Sequence, residues 1–185
     1  MSTKKKFIYC LDTFWGEDFS EKAQVLSILK FLQEIHDIEF FYWRCATYEE
    51  FKYHLQNTII NEKSLAIWYL AFHGEPNKIW VGEKGITLGR IAKIGSSAFK
   101  NNIVHFGSCE TLSLNENKIQ VFLGDTGAKA VSGYTKSIDF VESAALDILY
   151  FYCCWYYGNI NKTNEYMSDK YRSLIDSLGF KIFHR

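Results

Sequence analysis

Proline is almost missing from this sequence: Pro76 is the only one in 185 residues. Tracts rich in glycine and serine are missing too, so no stretch reads as a flexible linker. No segment repeats. Lys+Arg and Asp+Glu both total 21, so the chain lacks the charge excess expected of a nucleic-acid binder. There is no Gly-rich phosphate loop, and Gly82-Glu83-Lys84-Gly85 reads as a hairpin turn. The five cysteines have no framework spacing, and adjacent Cys153-Cys154 lack the C-x-x-C spacing of redox or zinc sites. No metal or organic cofactor is expected. Near the N-terminus the apolar run is cut at Asp12 after five residues, too short for a signal-peptide core. Free thiols in a reducing, cytoplasmic compartment follow from this reading. The most apolar segment, residues 144–157, is about three-quarters of a membrane-spanning length and contains Asp147, so it reads as a buried helix and no membrane span is expected.

Apolar residues make up 48% of the chain and aromatics 17%, enough for one domain with a substantial core. Residues 5–12, 38–46, 64–74, 102–109 and 129–136 read as buried strands, with 180–184 as an edge strand. Helices alternate with them. One starts after Ser20 as N-cap and puts Val25, Ile28, Leu29, Leu32 and Ile35 on one face. Another opens with Thr47 and Glu50 at capping-box spacing and aligns Phe51, Leu55 and Ile59. Residues 89–101 form a short helix, the helix after Leu114 ends at Gly127, and a long aromatic helix covers 138–157. An amphipathic helix at 163–178 aligns Tyr171, Leu174, Ile175 and Leu178. Residues 78–88 read as a small hairpin. This alternation predicts a three-layer α/β/α sandwich with a mainly parallel six-stranded sheet. It would be a single domain over 1–185, with a C-terminal helix-strand extension at 160–185.

In such sheets function gathers at the carboxyl ends of the strands. The third strand runs into His73-Gly74 and the fourth into Cys109. If the two strands are neighbours, both side chains reach one rim. A thiolate is the nucleophile of thiol chemistry, and an adjacent imidazole promotes its formation. The backbone N–H groups of Gly74 and Cys109 could converge as oxyanion donors. Taken alone, Cys109 reads as a buried structural thiol; His73-Gly74 and the flanking pattern turn the reading to a nucleophile.

The residues "LAFHGE", a hairpin, "GITLGRIA", "IVHFGSCET" and "FLGDTGAKAVSGYTKSIDFVESAALDILYFY" resemble the CHAT branch of the caspase-like cysteine peptidases over residues 64–152. The resemblance implies a caspase-like fold, a catalytic dyad of His73 and Cys109, and Gly74 as an oxyanion neighbour. It implies protein or peptide substrates and partner-gated activity in bacterial defence or stress. There are departures. Gly107-Ser108 stand before the cysteine in place of the caspase Gln-Ala, Leu112 replaces the glycine usual after Cys-Glu-Thr, and Tyr134 or a neighbour replaces a common tryptophan. The family's first specificity pocket lies between the end of strand one and the segment after strand five. Asp12, Tyr134 and Asp139 are thus the substrate-binding candidates, and cleavage is expected after basic or large uncharged residues rather than after Asp. For Asp139 an N-terminal helix position is the competing reading, and for Asp12 a loop cap.

His105 shares a strand face with Cys109 but lies about 13 Å away, and reads as a core histidine. His36, His54 and His184 read as surface or packing residues, and Cys10 and Cys45 as inert strand thiols. Tyr150, Phe151, Tyr152, Trp155, Tyr156 and Tyr157 exceed what one helix face can bury. Half are expected in the core and half on a surface for a regulatory partner or a second copy. The rival reading is a catalytically silent caspase-like module that assembles through this helix.

Overall fold

The computed structural model of the chain describes residues 6–15, 24–36, 38–58 and 65–185. Strand β1 (Lys6–Asp12) leads to helix α1 (Gln24–His36), β2 (Glu39–Arg44), α2 (Tyr48–Asn57) and β3 (Leu65–Ala71). Three short strands follow, β4 (His73–Glu75), β5 (Lys78–Val81) and β6 (Lys84–Thr87), then α3 (Leu88–Phe99) and β7 (Ile103–Phe106). The chain continues through α4 (Glu116–Thr126), β8 (Ala130–Tyr134), α5 (Phe140–Tyr157), α6 (Ile160–Lys170), α7 (Arg172–Leu178) and β9 (Phe180–His184). The main sheet has the order β2-β1-β3-β7-β8-β9. Its first five strands are parallel, and β9 closes the edge antiparallel to β8. This is the predicted six-stranded, mainly parallel sheet covered on both faces.

The two faces follow from the period-two alternation of side chains along a strand. In β3, Ala66, Trp68 and Leu70 point to one layer, where Phe51 of α2, Ile91 and Phe99 of α3 and Phe122 of α4 cover them. Ile67, Tyr69 and Ala71 point to the other, against Val25 and Leu29 of α1 and Leu146 and Phe151 of α5. Fully burying each large apolar side chain contributes about 1.5–3 kcal/mol, so both layers are firmly held to the sheet.

Local signals act where expected. Thr47 and Glu50 form a reciprocal capping box, with Glu50 N–H donating to Thr47 Oγ1 at 3.3 Å and Thr47 N–H to Glu50 Oε2 at 2.9 Å. Gly127 ends α4 in the left-handed region at φ 67°. Other expectations need adjustment. Ile35, on the last turn of α1, is 54% exposed, because that turn runs past the packed surface. Ser20 and Ile59 lie outside the described residues. The helix expected over 163–178 is broken at Tyr171 (φ −120°, ψ 24°) into α6 and α7, which lets Met167 and Leu178 both enter the core. The hairpin gains a third strand, because His73–Glu75 leaves the main sheet and pairs with Lys78–Trp80. In α5, Tyr150, Phe151 and Trp155 are buried and Tyr152 and Tyr157 half-buried, while Tyr156 is 68% exposed. Tyr152 packs on His36 and Tyr157 on Tyr166, so the open aromatic surface is smaller than expected.

Candidate active site

Because β1, β3, β7 and β8 are parallel neighbours, their carboxyl ends meet at one edge. Four segments converge there: residues 13–15, 72–74, 107–109 and 135–139. Ser108 staples two of them, its Oγ donating to Leu70 O at 3.3 Å and accepting from Phe72 N–H at 3.4 Å. Gly107 is required by packing, since a Cβ there would collide with the ring of Tyr69. That accounts for a glycine where a caspase carries a side chain.

Gly74 seats directly on the nucleophile segment. A Cβ at this position would collide with Cys109 O and Thr111 Oγ1 and come within 2.8 Å of Ser108 Cβ. Gly74 and the Cys109 backbone thus meet at the rim, with His73 the residue before that contact. After Cys109 the chain turns sharply through Glu110, a non-glycine residue at φ 52°. That left-handed conformation is costly. It is held by Glu110 N–H donating to Lys136 O at 3.0 Å and Thr111 Oγ1 to Cys109 O at 3.2 Å. The tight turn leaves Cys109 half-buried at the rim, whereas Cys10, Cys45, Cys153 and Cys154 are buried. Burial pushes the Cys45 thiol up to about 12 and those of Cys10, Cys153 and Cys154 upward as well, so these four are poor nucleophiles.

The imidazole of His73 is exposed. Its Nε2 lies 3.2 Å from Trp15 O, and its ring meets the Trp15 indole edge-on at 4.7 Å. A carbonyl only accepts, so Nε2 is the donor in this contact, which leaves Nδ1 as the nitrogen able to take a proton. Among the described residues no hydrogen bond joins His73 to Cys109, so the pair is open in this structure.

Asp12 turns inward. Its carboxylate accepts from Thr13 N–H at 2.8 Å, Trp15 Nε1–H at 3.0 Å and Tyr42 O–H at 2.6 Å. Burial raises its pKa, opposed by these hydrogen bonds and by Arg44. Asp12 therefore fixes the Trp15 indole, which in turn touches His73. Asp139 is the N-cap of α5, accepting from Val141 N–H at 2.8 Å and Glu142 N–H at 3.0 Å. Asp139 thus serves as a helix cap, and Asp12 ties the loop after β1 to Tyr42 of β2. Tyr134 is fully buried, with its hydroxyl donating to Asp147 Oδ1 at 2.5 Å.

A cavity of about 140 Å³ opens beside Cys109. Trp15, Val25, Ile138, Phe140 and Ala144 give it apolar walls, and Tyr69, Gly107, Ser143 and Asp147 complete it. It lies between the loop after β1 and the segment after β8. Neither Asp12 nor Asp139 lines it. Its carboxylate is Asp147, which the sequence reading used only to argue against a membrane span. An acid in the middle of the most apolar helix was the signal available.

Asp147 belongs to a buried network. Tyr69, His105 and Ser132 form one row across β3, β7 and β8. Tyr69 O–H donates to Asp147 Oδ2 at 2.7 Å, His105 Nε2 lies 2.9 Å from Asp147 Oδ1, and His105 Nδ1 lies 3.0 Å from Ser132 Oγ. Burial, with Asp147 adding to it, raises the pKa of Tyr69 and Tyr134, so both hydroxyls stay protonated as donors. Ser132, His105 and Asp147 are linked like a hydrolytic triad, but Ser132 and His105 are 0% exposed, so no substrate reaches them. Among the described residues no three His, Cys, Asp or Glu side chains converge as a metal site. None of the described helices is long and apolar enough to cross a membrane.

The same arrangement of strands is found in solved structures. Caspase-1 from Spodoptera frugiperda superposes with a TM-score of 0.51 at 10% identity, over 83% of this chain and 77% of that one. A secreted C11 cysteine protease from Bacteroides thetaiotaomicron, in complex with an irreversible peptide inhibitor, superposes with a TM-score of 0.56 at 8% identity. That match covers 94% of this chain and 59% of the protease. Identities this low show the fold alone. A comparison with curated proteins finds no match. The family model that matches is not that of the CHAT branch. The fold is caspase-like, and by a match over residues 5–184 the chain belongs to the family of unknown function DUF6642.

Proposed function

We propose that this chain is a cysteine endopeptidase acting through His73 and Cys109 on protein or peptide substrates. The carrying observation is the seating of Gly74 on the Cys109 backbone, beside a cavity whose wall includes Cys109. His73, oriented by its Nε2–H bond to Trp15 O, takes the thiol proton at Nδ1. The Cys109 thiolate attacks the substrate carbonyl, and the N–H groups of Gly74 and Cys109 donate to the oxyanion. His73 then protonates the leaving amine, and water releases the acyl group by the reverse steps. On this reading no metal or cofactor takes part. The open dyad fits an enzyme gated by a regulatory partner, a second copy or the substrate itself. The CHAT resemblance suggests bacterial defence as its setting and the cytoplasm as its compartment. Residues 1–185 would act as one domain, with 160–185 as an extension that closes the sheet.

A digest of a peptide library tests this. Wild type should cleave, and Cys109→Ala should lose about 10⁴-fold or more of that rate with an unchanged circular dichroism spectrum. Equal cleavage by both proteins would refute the assignment. The open dyad and exposed Tyr156 favour one second reading, a silent module that assembles through α5. No cleavage by wild type, with loss of self-association or partner binding in Tyr156→Ala, would support it.

A further inference from the structure

Resting on the peptidase reading, we propose that Asp12 is a positioning residue for His73, acting through Trp15 and anchored by Tyr42 of β2. Among the described residues, His73 takes both its hydrogen bond and its ring contact from Trp15. The Trp15 carbonyl oxygen lies 3.2 Å from Nε2, and the indole meets the imidazole edge-on at 4.7 Å. Trp15 stands past the end of β1, beyond the backbone pairing with β2 and β3, which stops at Asp12. Sheet pairing therefore does not hold it. Among the described residues its indole makes one hydrogen bond, Nε1–H donating to Asp12 Oδ1 at 3.0 Å. Asp12 is 0% exposed and is itself tied on two further sides, by Thr13 N–H at 2.8 Å and by Tyr42 O–H at 2.6 Å.

These contacts form a chain of hydrogen bonds that starts in the sheet and ends at the base. Tyr42 holds the Asp12 carboxyl group, Oδ1 of that group holds the Trp15 indole, and Trp15 holds Nε2 of His73. Both donors to Oδ1 are N–H groups, so this oxygen is an acceptor whatever charge the carboxyl group carries. An exposed side chain left to itself changes rotamer within picoseconds to nanoseconds, and only some orientations of the imidazole offer Nδ1 to a thiol. Holding the ring by Nε2 raises the share of time in which the proton can pass, the same gain that orientation gives any bound reactant. Asp12 does not line the cavity beside Cys109, and its hydrogen bonds go to Thr13, Trp15 and Tyr42 and none to His73. Its effect on the chemistry therefore passes through Trp15.

The test is the rate at which iodoacetamide alkylates Cys109 of the full chain near neutral pH, read by mass spectrometry. Asp12→Ala removes the acceptor. Trp15→Phe keeps an aromatic ring and the backbone carbonyl but lacks the N–H donor. Each should slow the rate about fivefold, the worth of one hydrogen bond. Asp12→Asn keeps an oxygen for Thr13 N–H and Trp15 Nε1–H, and its amide can donate to the Tyr42 oxygen, so its rate should stay within about twofold of wild type. A double-mutant cycle separates positioning from a merely structural role: in a His73→Ala background, adding Asp12→Ala should change the rate by less than about twofold. In strongly alkaline buffer, where hydroxide alone removes a thiol proton, the single variants should match wild type. Near-UV circular dichroism verifies the fold of each variant, and if Asp12→Ala does not fold, Trp15→Phe decides in the same cycle. A wild-type rate in the folded variant, or a loss that persists without His73, overturns the inference and leaves the peptidase reading standing. An unchanged Cys109 rate in His73→Ala itself overturns both.

Discussion

Two histidines at the centre of this molecule sit in opposite surroundings. His105 has ideal partners: Asp147 at 2.9 Å on one nitrogen and Ser132 at 3.0 Å on the other. It is 0% exposed, and five aromatic rings surround it, those of Tyr69, Tyr134, Tyr150, Phe151 and Phe180. His73 has one hydrogen bond, to a backbone carbonyl at 3.2 Å, and stands exposed at the rim beside the Cys109 segment. The better hydrogen-bond geometry belongs to the histidine that no substrate can meet. Linked distances alone therefore do not mark a catalytic group; access and a nucleophile that can be reached do. The buried constellation ties three strands to α5, and the rim presents an exposed histidine and a half-buried cysteine.

Mutations should separate the two regions. The largest effect falls on the rim, where Cys109→Ala should lose about 10⁴-fold or more of cleavage and leave the urea midpoint within the error of wild type. The buried region should respond in the opposite way. His105→Ala removes a donor from Asp147 and a fully buried ring from the core, and should cost about 3–5 kcal/mol in urea unfolding. A His105→Ala protein as stable as wild type would remove the contrast between the two histidines.

A smaller effect sharpens the comparison by probing a site that belongs to neither region. The capping box of α2 should lose about 1 kcal/mol in Thr47→Ala near neutral pH. Hydrogen bonding to the Thr47 backbone holds Glu50 below its ordinary value of 4.5. A lowered carboxyl stabilises the fold above its unfolded-state value, and that share is lost as the pH falls through the lowered one. Thr47→Ala keeps the backbone N–H that binds Glu50, so the pH dependence is read from Glu50→Ala, whose penalty should shrink in urea titrations run at increasingly acid pH. A penalty independent of pH would show that the Glu50 half of the box contributes nothing.

The rim was legible in the sequence because few facts determine it. Apolar runs with helices between them impose parallel strands, and parallel strands bring the residues after Ala71 and Phe106 to one edge whatever the details. The buried network around Asp147 was not legible. Asp147 is defined by donors from β3, β7 and β8, which lie 78, 42 and 13 residues away in sequence, and no local pattern encodes such a meeting. Asp12 and Asp139 were at expected positions along the chain, but position does not fix direction. Asp12 turned to Thr13, Trp15 and Tyr42, and Asp139 to the open amides of α5. Asp139 satisfied the nearest backbone donors, as short acidic side chains do at caps, and Asp12 took one backbone and two side-chain donors. The break at Tyr171 was hidden for a related reason: amphipathic periodicity runs through it and only the tertiary packing interrupts the helix.

The central claim is that His73 and Cys109 act together, and the alkylation rate of Cys109 by iodoacetamide tests it most directly. Reactivity order alone is uninformative, since the other four cysteines are buried and exposure by itself would put Cys109 first. The decisive quantity is the dependence of the Cys109 rate on His73, followed residue by residue by mass spectrometry near neutral pH. If His73 takes the thiol proton, His73→Ala should slow alkylation of Cys109 by about tenfold or more without changing the rates at the buried cysteines. An unchanged Cys109 rate in the His73→Ala protein would contradict the account.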